Sequence, residues 1–172
     1  MLELDAQLPS WARFRRRSWA LTGHRIVTPL YDATGNMRSL RAWRWAGGDT
    51  PKRLAPAGFT CAGLVMADAL GLLLLQTGER PAWWPPHVPL VAVVVEGEPD
   101  YLTRATLASD ADETAPAVFG LVSGSWSDEV AERIPTDTVV TLRTDTDLAG
   151  ATYAHVVARS LAPRCPVRRL TA

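Results

Sequence analysis

The feature that most constrains this chain is the unbroken apolar run Leu90-Val91-Ala92-Val93-Val94-Val95, which ends directly in Glu96-Gly97. A valine-rich run of that length without polar alternation reads as a strand buried on both faces, which requires packed layers above and below it. Two further strands of the same kind are predicted over Ala117–Val122 and Thr138–Arg143, and a fourth begins at Val167–Leu170. Helical patterns lie between them, over Asp100–Ser109, Ser127–Arg133 with Ser127 as N-cap, and Leu148–Leu161. Strands and helices that alternate across short links predict an α/β fold with a central, mostly parallel sheet flanked by helices.

The amino-terminal part reads differently. Residues 25–31 and 37–45 predict two strands joined by the turn-forming Asp32-Ala33-Thr34-Gly35-Asn36, a β-hairpin. Ahead of them, Pro9-Ser10 is placed to start a short helix, with Trp11, Phe14 and Trp19 packing on one side. Residues 64–76 predict a buried helix. Thr77–Pro89 carries Pro81, Pro85, Pro86 and Pro89 and reads as a connector. The expected division is a smaller basic, β-rich subdomain with its linker over 1–87 and the α/β domain over 88–172.

Charge separates along the same line. Residues 1–60 hold ten basic and four acidic residues, residues 61–163 five basic and fourteen acidic, and the whole chain is neutral. A basic half joined to an acidic half suits a protein that holds phosphates with one part and metal ions with the other, and equally an ordinary solvated surface. Cys61 and Cys165 stand far apart with no Cys/His cluster around them, which argues against a disulfide framework or a zinc site. The longest apolar stretch, Ala69–Leu75, is far shorter than the roughly 20 residues a bilayer requires. With no signal-peptide pattern, a soluble cytoplasmic protein without a membrane partner is expected. His24, His87 and His155 are scattered, and Ser123, Ser125 and Ser127 lack a His/Asp arrangement, so a hydrolase triad is not expected. The seven tryptophans include candidates for stacking on bases, although most suit packing.

The chemistry-bearing residues sit where two of the predicted strands end. One strand runs into Glu96-Gly97-Glu98-Pro99-Asp100, the other into Thr144-Asp145-Thr146-Asp147. Along extended chain, residues i and i+2 point the same way, so Asp145 and Asp147 can aim at one ion. In open α/β sheets, ligands gather at the carboxyl ends of strands. Carboxylates converging there repel one another unless a cation lies between them, and hard oxygen ligands suit Mg²⁺ or Mn²⁺. Asp147, just before a predicted helix, is equally placed to be its cap.

These motifs resemble those of the Toprim family. Val-Val-Val-Glu-Gly-Glu-Pro-Asp is similar to its first motif, Thr-Asp-Thr-Asp-Leu-Ala-Gly to its second, and Val118–Gly124 to the intervening strand and glycine loop, over about residues 90–170. Upstream, Arg25 through Gly35, then Ser39-Leu40-Arg41, then Pro51-Lys52-Arg53-Leu54 resemble the segment that precedes Toprim in bacterial and phage-type DNA primases. The resemblance implies that Glu96, Asp145 and Asp147 are catalytic and that, with Asp100, they hold Mg²⁺ or Mn²⁺. It implies that Arg25, Arg41, Lys52 and Arg53 bind nucleotide or nucleic-acid phosphates. The sequence lacks the Cys/His zinc module and the Gly-x-x-x-x-Gly-Lys-Ser/Thr loop of a fused helicase motor.

The expected function is metal-dependent phosphoryl transfer on nucleic acid, first as primase-like primer synthesis. Single-stranded DNA template and nucleotides would be the partners, with a helicase or other replication protein beside them. Glu96 has a second expected role as general base toward a hydroxyl. The alternatives are a Toprim nuclease, or a non-catalytic nucleic-acid-binding module of a mobile-element or replication protein. A topoisomerase is disfavoured by the length of the chain and by the lack of a persuasive nucleophile among Tyr31, Tyr101 and Tyr153.

Overall fold

The computed structural model describes residues 1–3, 7–110, 114–123 and 125–171. The chain divides into two compact units. One comprises Met1–Leu30 and Met37–Cys61, the other Tyr31–Asn36 and Ala62–Ala172.

In the first unit, β1 (Arg13–Phe14) and β2 (Arg17–Ser18) form a minimal antiparallel hairpin, turned by Arg15 and Arg16 at positive φ. This replaces the helix expected after Pro9. Strands β3 (Ile26–Tyr31), β4 (Met37–Trp43) and β5 (Arg53–Leu54) follow in the order β3-β4-β5. β5 pairs antiparallel to the end of β4, with Trp43 opposite Arg53. A small core of Ala12, Trp19 and Ala42 holds the unit, with Leu8, Trp11, Val27 and Leu54 packed against it.

The second unit contains β6 (Val65–Ala67), α1 (Ala69–Thr77), β7 (Val91–Glu96), α2 (Gly97–Ser109), β8 (Ala117–Leu121), α3 (Asp128–Glu132), β9 (Val139–Thr144), α4 (Leu148–Leu161) and β10 (Val167–Thr171). Its strands lie in the order β10-β9-β7-β8-β6. The β10–β9, β9–β7 and β7–β8 pairs are parallel, and β8–β6 is antiparallel. Tyr31, at the end of β3, pairs antiparallel with Val65. The fold is therefore α/β with a mostly parallel sheet, as the alternating pattern implies. One element differs. The single buried helix expected over 64–76 is a three-residue strand followed by a helix, separated at Asp68, whose side chain caps α1 by accepting the Gly71 N–H. Apolar residues fill both elements, so periodicity alone does not divide them.

Period two decides which face each strand residue serves. Ala92 and Val94 of β7, Ala117, Phe119 and Leu121 of β8, and Val140 and Leu142 of β9 enter one core. Leu74 and Leu75 of α1, Val130 and Ala131 of α3, and Ala154, Val157 and Leu161 of α4 complete it. The other face receives α2. There Gly120 is what lets the helix approach: a Cβ at that position would lie 2.5 Å from the Met66 methyl and 2.9 Å from the Tyr101 Cβ. Right-handed crossovers account for this division, because β7-α2-β8 and β9-α4-β10 step in opposite directions along the sheet.

Candidate functional site

The parallel ladder between β7 and β9 sets Val95 opposite Arg143. The next residues, Glu96 on one strand and Thr144-Asp145 on the other, consequently leave the sheet at the same rim. The Asp145 backbone N–H donates to Glu96 Oε2 at 3.2 Å. Two acidic motifs separated by nearly fifty residues thus meet at the carboxyl ends of neighbouring strands, where open α/β sheets form their crevices.

Local backbone chemistry explains how each carboxylate is aimed. Glu96 occupies the N-cap position of α2 but makes no side-chain cap bond. Its carboxylate turns across to β9 instead. Gly97 follows at φ 78, a left-handed conformation that costs glycine nothing, and this lets the strand pass straight into the helix. The helix starts three residues earlier than its apolar pattern implies, so Glu98 and Asp100 fall in its first turn. Glu98 is buried and Asp100 is exposed. Asp147 is the cap of α4, accepting the Gly150 N–H at 2.7 Å with Oδ1. Asp145 and Asp147 are both exposed.

Gly150 explains the small residue at the end of that motif. A Cβ there would lie 2.3 Å from the Asp145 carbonyl oxygen and 2.9 Å from its carbonyl carbon and nitrogen. The first turn of α4 rests directly on the Asp145 backbone.

A further residue enters that sequence reading passed over. Arg169, on β10, donates from Nε to Thr144 Oγ1 at 3.0 Å and from Nη2 to the Asp145 carbonyl at 2.8 Å. Its neighbour Arg168 donates to Thr141 Oγ1 at 3.0 Å. Asp145 is therefore held at both of its backbone polar groups, by Glu96 at the N–H and Arg169 at the C=O. The doubled arginine on the predicted fourth strand was a visible signal. That this strand pairs with β9 was not.

Among the described residues, no group of three or more His, Cys, Asp or Glu side chains is gathered closely enough to hold a metal ion. The expected set of four carboxylates, Glu96, Asp100, Asp145 and Asp147, is not assembled as a preformed cage. What the fold brings together is Glu96 and the Asp145 loop. Gly124, counted in the expected glycine loop, lies outside the described residues.

The expected phosphate-binding residues belong to the first unit. Arg25 is half-buried and donates from Nε to the Leu2 carbonyl at 2.6 Å. Arg41 is half-buried on β4, Arg53 is exposed on β5, and Lys52 is exposed with its Nζ 5.6 Å from the Trp43 ring centroid. Two buried groups shape the loop before Lys52. Arg44 donates from Nη2 to the carbonyls of Gly48 at 3.0 Å and Thr50 at 2.7 Å. His24, with Nδ1 2.9 Å from Thr22 Oγ1, holds the Pro51 carbonyl at 2.6 Å through Nε2. Burial pushes its pKa below the ordinary value, more than the Pro51 hydrogen bond restores, and the Arg44 charge adds to the depression.

No protein-family model matches the sequence, nor does any curated protein. Solved structures do. The Aquifex aeolicus primase, comprising zinc-binding and RNA polymerase domains, superposes with a TM-score of 0.50 at 16% identity, over 88% of this chain and 34% of that one. A chain of a bacteriophage T7 assembly of lagging-strand DNA polymerase with primase domains gives 0.50 at 20%, over 83% and 63%. This chain has the primase-domain fold. A DNA primase domain from Pseudomonas aeruginosa is also similar, with a TM-score of 0.49 at 20% identity over 85% of this chain and 42% of that one. The chain spans less than two thirds of each of these primase-fold chains.

Proposed function

We propose that this chain is a primase-like nucleotidyltransferase module acting on nucleic acid, with residues 88–172 carrying the chemistry and the basic residues of 1–87 holding polyanion. The observation that carries this reading is the hydrogen bond from the Asp145 N–H to Glu96, which joins both acidic motifs at one rim of a sheet of the primase-domain fold.

The donor chemistry suits Mg²⁺ or Mn²⁺. Mg²⁺ keeps several waters and is bound by one or two carboxylates together with substrate phosphates, so it does not require a preformed cage. Glu96 and Asp145 would hold it, with Asp147 and Asp100 contributing as the loops adjust. When bound, the ion supplies positive charge against the phosphates of an incoming nucleotide. Glu96, at the same rim as the Asp145 loop, would take the proton of an attacking hydroxyl. Arg169 fixes the Asp145 peptide and so positions the carboxylate. Arg25, Arg41, Lys52 and Arg53 would neutralise backbone phosphates of a single-stranded template. A helicase or other replication protein is the partner this activity calls for.

The test is template-dependent incorporation of labelled nucleotides with Mg²⁺ or Mn²⁺, run beside Asp145→Asn. Metal-dependent extension by wild type and none by the variant supports the proposal. Metal-dependent shortening of the oligonucleotide would instead identify a nuclease, and binding unaffected by Asp145→Ala without turnover a non-catalytic module.

A further inference from the structure

Among the described residues, two tryptophans expose more than half their surface, Trp45 at 79% and Trp83 at 57%. An indole left in water forgoes the burial that stabilises most of its kind, so each invites a question about what it meets. Trp83 lines a pocket whose charged wall is Asp68, the wrong sign for a polyanion. Trp45 instead shares an aromatic neighbour with a lysine.

Trp45 lies two residues beyond the end of β4. Its ring centroid stands 5.5 Å from that of buried Trp43, with the planes at 80°. The same Trp43 ring carries the Lys52 ammonium at 5.6 Å. Trp43 is thus the common neighbour of an exposed indole and an exposed cation. The backbone around Trp45 is anchored as well. Arg44 donates its N–H to the Lys52 carbonyl at 3.0 Å, and its buried guanidinium ties down Gly48 and Thr50. A Cβ at Gly48 would lie 2.3 Å from Arg44 Nη1, so a side chain there would have to displace the guanidinium. A platform held this way loses little freedom when a ligand arrives.

We propose that Trp45 is a stacking platform for an unpaired nucleobase, with Lys52 receiving the adjacent phosphate. This rests on the nucleic-acid reading above and adds to it a site at which the base itself is held. Charge selects the occupant: the first unit contains ten basic and three acidic residues, and a base with its phosphate offers both a π face and a negative charge to match. Stacking accepts any base, so the site predicts sequence-tolerant binding of single strands.

The experiment measures binding of the full chain to a labelled oligothymidylate and to an abasic oligomer of equal length and charge, each across a salt series. Trp45→Ala should weaken oligothymidylate binding by roughly 5- to 150-fold, the scale of one stacked base, and leave abasic binding and the salt dependence unchanged. Trp45→Phe should recover most of the loss. Lys52→Ala should instead lower the salt slope by about one on both oligomers. At 79% exposure Trp45 has little part in the core, and thermal melts of the variants should match wild type. If Trp45→Ala binds oligothymidylate as wild type does, or weakens both oligomers equally, stacking is overturned while nucleic-acid binding stands. If wild type binds neither oligomer, the nucleic-acid reading falls with it.

Discussion

Gly150→Ala tests the geometry of the rim more directly than removing a carboxylate, because it adds one methyl and changes no charge. On an isolated helix the substitution would stabilise by about 1 kcal/mol. Here the new Cβ would sit 2.3 Å from the Asp145 carbonyl oxygen, where ordinary contact begins at 3.4 Å. Either the Asp145 peptide or the first turn of α4 must give way by about 1.1 Å. The obstacle is backbone, held at its N–H by Glu96 and at its C=O by Arg169, so no side-chain rotation relieves it. Overpacking of this kind costs about 1–3 kcal/mol, enough to reverse the helix gain and leave a net loss on the order of 1 kcal/mol. A shift near 1 Å in a positioned catalytic group lowers turnover by about a hundredfold. Urea denaturation followed by circular dichroism gives the stability, amide NMR shifts of Thr144 and Asp145 report the displacement, and nucleotide incorporation gives the activity. Ala149→Gly, at an exposed position of the same turn, is the control. It should lose about 1 kcal/mol of stability with the Asp145 amide unmoved. A Gly150→Ala protein as stable as wild type, with unshifted Thr144 and Asp145 amides, would refute the claim that α4 rests on this peptide.

Other substitutions probe neighbouring links. Glu96→Gln and Asp145→Asn, which keep shape and a hydrogen-bond acceptor, should abolish metal-dependent turnover while their melts stay within about 0.5 kcal/mol of wild type; unfolding of either would assign it to structure instead. Arg169→Ala should reduce turnover and broaden the Asp145 amide resonance with Glu96, Asp145 and Asp147 intact, and an unchanged resonance would remove Arg169 from the positioning role. Asp68 accepts the N–H groups of Gly71 and Val118, and burial raises its pKa despite those bonds. Its charge therefore costs stability as pH rises from the unfolded value of 3.8 through the higher folded value. Asp68→Asn, which keeps an acceptor, should match or exceed wild type at pH 7, whereas Asp68→Ala should lose about 1–3 kcal/mol by orphaning two donors; denaturation curves of both decide it. His24 has the reverse linkage. Its folded pKa lies below the ordinary 6.5, so the unfolded chain takes up a proton first and stability falls as pH drops from 6.5 toward the folded value. Melts of His24→Gln should lack that component of the acid slope.

Local pattern determined much of this protein. The buried valine-rich strand, the alternation with helices, the α4 boundaries at Leu148 and Leu161, and the caps at Ser127 and Asp147 follow from apolar runs and N-cap chemistry that neighbouring residues express by themselves. Pattern misled where it was locally ambiguous: apolar residues on every side hid the division of 64–76 into β6 and α1, and an amphipathic lead-in was read as a helix where Arg15 and Arg16 turn a hairpin. Strand order is a different matter. Nothing near Glu96 encodes that its strand lies between β8 and β9, and nothing near Arg169 encodes that β10 runs beside β9. Those neighbours are chosen by which faces bury best when the whole sheet assembles, a non-local competition. Only that assembly brings Glu96 and Arg169 to the backbone of Asp145, and it is also what gives Gly150 its reason to lack a side chain.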